Sequence, residues 1–276
     1  MRSSNPVLNS LTGTRQNYAQ AGYQQQAFNP MSQYDQYGQS VTSAGAAERP
    51  MTVDDVVTKT GITVGVIIAF AVVNFALATV NPGLALILTG VGAIGGLITV
   101  LISTFGRKYG SAAVTLTYAA FEGLFVGGIS LVLSGAMVGG QNAGALIGQA
   151  VLGTIGVFLG MLYVYKTGAV KVTPKFNRIL TGSLIGVLVL ALGNMVLGFF
   201  GNSLGLYSGG PIAIIFSLFC IGLAAMSFLQ DFDIADRLIR QGAPAKNAWG
   251  VALGLAVTLV WLYTEILRLL SYFNQR

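Results

Sequence analysis

The sequence predicts an all-α polytopic membrane protein: a bundle of seven transmembrane helices with the last helix at its centre. Only 9% of the 276 residues are charged, against about 25% in soluble domains. The mean hydropathy is +0.70. Apolar runs recur as far as the C-terminus, each close to the ~20 residues that a helix needs to cross a ~30 Å hydrocarbon layer. They are continuous rather than alternating, which argues against a transmembrane β-barrel.

Residues 1–50 are rich in Gln, Ser, Asn, Ala and Tyr and have no apolar periodicity, the composition of a disordered tail. No apolar core follows Arg2, so the segment does not read as a secretory signal peptide. Its tyrosines, Tyr18, Tyr23, Tyr34 and Tyr37, fit a segment that binds other membrane proteins, a phosphorylation target, or a featureless tail. Order is expected over 51–276. Thr52-Val53-Asp54-Asp55 has the form of a capping box, with Asp in place of Glu, directly before an apolar stretch. The predicted helices cover about 62–80, 84–103, 112–134, 145–165, 179–200, 211–230 and 249–272. Asn81-Pro82-Gly83 separates the first two, a strong turn signal. Pro211 suits the first turn of the sixth helix.

The formal charge of +6 does not point to nucleic acid, because the basic residues are scattered through short connections. Lys59, Arg107, Lys108, Lys166, Lys171, Lys175, Arg178, Arg237, Arg240 and Lys246 fall on one side of the predicted bundle, and the connections after helices one, three and five hold none. By the positive-inside rule, the N-terminus is cytoplasmic and the C-terminus outside. Cys220 is the only cysteine and histidine is absent, which removes intramolecular disulfides and the commonest general base and metal ligand. No cofactor is expected. Glycines recur at four-residue spacing, as Gly61/Gly65, Gly92/Gly96, Gly123/Gly127, Gly156/Gly160, Gly182/Gly186 and Gly250/Gly254, marking faces where helices can approach closely in lipid.

A few polar residues within or bordering the apolar runs stand out. Glu122 lies ~15 Å into the third helix, near the midplane, where an ionised carboxylate costs at least a few kcal/mol unless paired, protonated or facing water. Asp233/Arg237 and Asp236/Arg240 are acid-before-base pairs at i,i+4, the spacing of an exposed helical face. Asp231 has no such partner and points ~200° away from Asp233 on an ideal helix, toward the bundle. Glu265 has Arg268 three residues on. Asn74 and Asn194 lie within spans, where amides bond neighbouring helices.

Over about residues 51–276 the sequence resembles the Bax inhibitor-1 family, in particular its bacterial branch with a long N-terminal tail. The resemblance is carried by Met51-Thr52-Val53-Asp54-Asp55-Val56-Val57, by Phe121-Glu122-Gly123 with Gly127 and Ser130, and by Tyr163-Val164-Tyr165-Lys166-Thr167-Gly168. Asp231-Phe232-Asp233 and Val260-Trp261-Leu262-Tyr263-Thr264-Glu265-Ile266-Leu267-Arg268 complete it.

The resemblance implies seven helices with the last surrounded by the others, a bacterial plasma membrane, and a pH-sensitive calcium leak. In that family two aspartates, one ending the sixth helix and one in the seventh, share protons and hold the pore closed. Asp231 matches the first, and Glu265 matches the second by its Leu-Tyr-x-acid context. These acids are 34 residues apart, and a straight last helix would lift Glu265 ~27 Å above its start, so Glu122 stands as an alternative partner for Asp231, and Glu122 and Asp233 as further candidate pore residues. Arg268 or Arg107 would supply a competing positive charge. The expected activity is passage of Ca²⁺ or another cation, gated by buried carboxylates. A non-conducting regulatory or structural protein is the alternative. An intramembrane protease is not expected, since the serine type usually needs a histidine and the seventh helix offers Tyr263-Thr264-Glu265 in place of a Tyr-Asp motif.

Overall fold

The computed structural model describes residues 49–106, 108–135, 143–201 and 204–274. Most of the tail expected over 1–50, and Arg107, lie outside the described residues. Arg49 and Pro50, read from sequence as tail, are instead docked on the bundle, where Pro50 forms an isolated bridge with Pro244.

Among the described residues, seven helices are long and apolar enough to cross a membrane. They are α1 (Val53–Val80), α2 (Pro82–Phe105), α3 (Ala112–Leu133), α4 (Ala143–Thr167), α5 (Pro174–Phe199), α6 (Pro211–Arg240) and α7 (Ala248–Asn274), the last entered through a 3-10 turn at Ala245–Asn247. The two bounds that differ most from the hydropathy reading do so for a physical reason. The α1 helix starts at Val53 because Thr52 caps it, its side chain accepting from the Asp55 N–H while the Asp55 carboxylate accepts from the Thr52 N–H. The α6 helix continues past residue 230 to Arg240, sustained beyond the apolar run by ion pairs between Asp233 and Arg237 (2.5 Å) and between Asp236 and Arg240 (2.8 Å).

The last helix is the centre. Within its apolar window 67% is buried, against 6% for α5, and it packs against α1, α3, α4 and α6. Glycines bring α1, α2 and α3 together. A Cβ at Gly92 would lie 2.5 Å from the Phe121 carbonyl oxygen, and one at Gly123 would lie 2.5 Å from that of Ile67. Asn74, fully buried, donates to the Leu124 carbonyl (2.6 Å) and to Thr89 Oγ1 (3.1 Å), which ties the three helices where only protein partners are at hand. A Cβ at Gly156, Gly160, Gly182 or Gly186 would meet nothing within 4 Å beyond its own helix. The same four-residue spacing therefore marks close packing in one part of the bundle and open surface in another.

Candidate functional site

The carboxylates that the sequence singles out occupy separate places. Asp231, on α6, points into the bundle, and its Oδ2 accepts a hydrogen bond from Thr258 Oγ1 of α7 at 2.7 Å. Asp233 turns to the other side and pairs with Arg237. Glu265 is buried and accepts from Arg268 at 2.6 Å, one turn along the same helix. The guanidinium of Arg268 lies 4.8 Å from the centre of the Tyr207 ring. Glu122 faces Gly96 of α2, where a Cβ would stand 2.8 Å from its Oε2. From Gly96 to Ser103 on α2, and from Thr258 to Glu265 on α7, the seven-residue rise is ~10 Å. Neither Glu122 nor Glu265 shares the Asp231 site.

Thr258, rather than Glu265 or Glu122, is the side chain that bonds Asp231. The local Leu-Tyr-x-acid context of Glu265 says nothing about helix register, and the register is what decides the partner. A sequence signal for Thr258 did exist: it continues the Gly250, Gly254 series by another four residues, so that the three share a face of α7.

Asp231 and Thr258 line a cavity of about 350 Å³ together with Val100, Ser103 and Thr104 of α2, Tyr109, Ile234, and Gly250, Val251, Leu253, Gly254 and Val257 of α7. At about 30 Å³ per water this has room for several solvent molecules or a hydrated ion. Its polar lining is entirely oxygen: one carboxylate, three aliphatic hydroxyls and a phenol. Tyr109 sits in the α2–α3 connection with its ring on Gly250, where a Cβ would come within 2.6 Å of the ring atoms. Burial, and then the charge of Asp231, holds its phenol above the ordinary value, so it stays a neutral donor at physiological pH. The same connection turns at Gly110 (φ 92°), whose Cβ position would lie 3.0 Å from the Lys246 carbonyl oxygen and from Asn247 Oδ1. Only glycine suits that conformation and that approach.

A larger cavity, about 520 Å³, lies among α1, α3, α4 and α7. Its lining is apolar apart from Thr154 and the Ser130–Tyr263 hydroxyl pair (2.8 Å). No carboxylate lines it, whereas Asp231 lines the smaller one. Among the described residues, no group of three or more His, Cys, Asp or Glu side chains could hold a metal ion.

No curated protein matches the chain closely enough to count as a relative. Its residues 5–275 match the family described as Bax inhibitor 1 like. A match over nearly the whole chain, on an all-helical bundle of seven apolar helices around a buried last one, places this protein in the Bax inhibitor 1 like family.

Proposed function

We propose that this membrane protein is a cation leak pathway, suited to Ca²⁺, in which Asp231 acts as a pH-sensitive gate. The observation that carries the reading is the Asp231–Thr258 hydrogen bond, which joins a carboxylate of α6 to the central helix at a cavity lined by oxygen donors. A hard cation with oxygen ligands fits such a lining. By the positive-inside rule the end of the bundle that holds Lys59, Lys108, Arg237 and Arg240 is cytoplasmic, with the N-terminus on that side; the bacterial plasma membrane is what the family resemblance implies.

The sign of the pH response follows from the donor. An ionised carboxylate is the stronger acceptor for the Thr258 hydroxyl, so protonation loosens the link between α6 and α7. The groups facing Asp231 are Thr258 of α7, Ser103 and Thr104 of α2, and Tyr109 of the connection. Flux is therefore expected to rise as pH falls. With Thr258 as partner the gate holds a single titrating carboxylate, where the family's described arrangement holds two.

Reconstitution in liposomes with a trapped Ca²⁺ indicator, scanned over about pH 5 to 8, tests this. Wild-type protein should conduct with a pH-dependent rate. Asp231→Asn should flatten the dependence, and Asp233→Asn should keep it. Absence of flux above empty liposomes at every pH would favour the second reading, a non-conducting regulatory or structural protein that binds other membrane proteins.

A further inference from the structure

The segment just before α1 lies across the turn that joins α6 to α7. Pro50 and Pro244 face each other in an antiparallel bridge. The flanking backbone groups bond on both sides, Met51 N–H to the Ala243 carbonyl at 2.7 Å and Ala245 N–H to the Arg49 carbonyl at 3.0 Å. Two prolines fit this position because it is the non-hydrogen-bonded one, where neither residue needs an N–H.

Two further anchors hold the segment. Met51 is 2% exposed and packs in one cluster with Phe228 and Phe232 of α6 and Val251 and Leu255 of α7. These residues bracket Asp231 on one helix and precede Thr258 on the other. Lys59 of α1 donates from Nζ to the Ala245 carbonyl at 2.5 Å and stands over the Trp249 ring. Arg49, meanwhile, is tied back to the first turn of α1 by two bonds to Asp55 of 2.8 and 2.6 Å.

Capping of α1 needs only Thr52 and Asp55. The contacts of Arg49, Pro50 and Met51 with the turn are additional, and they fall on the connection between the two helices of the site. We infer that residues 49–52 form a clasp that keeps the α6–α7 mouth shut, with Met51 as the positioning residue. Separating the two helices at this end requires Met51 to leave the core they share. The residues upstream of Arg49 are continuous with the clasp, so a partner that draws on them acts on the gate. This inference rests on the proposed leak only for its flux readout.

A disulfide tests it directly. Cα atoms in a non-hydrogen-bonded antiparallel pair stand ~4.5 Å apart, within the ~4.4–6.8 Å that a disulfide spans. The variant Pro50→Cys/Pro244→Cys, made with Cys220→Ala in the full chain, can therefore be compared with itself oxidised and reduced. Oxidation should lower flux at acid pH about tenfold, as expected when a minor open state is withdrawn, and dithiothreitol should restore it. Met51→Ser should raise flux at neutral pH and move the midpoint of the pH profile, while Met51→Leu should behave as wild type. Superimposable pH profiles for the oxidised and reduced protein, with the cross-link verified, would overturn the clasp. Should the wild-type protein carry no flux, the leak reading falls and hydrogen exchange over residues 228–258 decides the clasp alone. Greater protection on oxidation upholds it, and unchanged protection overturns it.

Discussion

Thr258 Oγ1 lies 2.7 Å from Asp231 Oδ2 and 3.3 Å from the carbonyl of Gly254, one turn back on its own helix. A hydroxyl has one proton to give. A threonine inside a helix ordinarily gives it to the i−4 carbonyl, and here the shorter contact is to the carboxylate of the neighbouring helix.

Two substitutions at Thr258 should therefore act in different ways. Thr258→Val leaves Asp231 without its donor, and a buried acceptor left unmade costs about 1–3 kcal/mol. A lower melting temperature and a displaced pH profile are expected in detergent and in liposomes respectively. Thr258→Asp places two carboxylates in contact, which cannot both ionise easily. The flux profile should then open at higher pH and show two steps. A single step at the wild-type midpoint would mean that position 258 does not face the titrating group.

The Glu265–Arg268 pair is a question of stability. With side chains 6% and 18% exposed, it is buried enough that removing one partner should cost about 3–5 kcal/mol. Arg268→Gln is expected to lower the melting temperature strongly, and adding Glu265→Gln should recover much of the loss. If the double variant is as unstable as the sum of the singles, the pair is not coupled. The pH dependence of flux should persist in Glu265→Gln, because this acid is not part of the Asp231 site.

Glycines that look alike in sequence should differ in their tolerance of alanine. Gly92→Ala and Gly123→Ala push a methyl against backbone carbonyls at 2.5 Å, and overpacking of this kind costs about 1–3 kcal/mol. Gly156→Ala and Gly182→Ala meet nothing within 4 Å and should be neutral or slightly stabilising, by up to ~1 kcal/mol from helix propensity. Thermal unfolding of the four variants in one detergent measures the contrast.

Orientation can be read by labelling. In a Cys220→Ala background, a cysteine replacing exposed Ser208, between α5 and α6, should react with an impermeant thiol reagent added to intact cells. One replacing exposed Lys166, at the end of α4, should react only after the cells are opened. The reverse pattern would invert the assigned topology.

How far the sequence could be read depended on the range of the interaction involved. The seven helices were legible because every backbone polar group in lipid must be satisfied within its own segment, so length and hydropathy alone determine them. The start of α1 followed from Thr52 and Asp55, three residues apart. The opposite directions of Asp231 and Asp233 followed from helical periodicity, again a local rule.

The partner of Asp231 was not legible. It is 27 residues away on an antiparallel neighbour, and which residue stands opposite depends on the turn between Arg240 and Ala248 and on the packing of Phe228 and Phe232 against Val251 and Leu255. A motif can place an acid on the last helix and still miss the site by two turns, as with Glu265. The glycine pairs show the same limit: the spacing records a small face, and only a neighbouring helix makes that face a contact. The sequence by itself determined the bundle and the direction in which Asp231 points. The tertiary structure decided what Asp231 meets, because the sliding of two helices past one another is set by contacts far apart in the chain, with no period to record them.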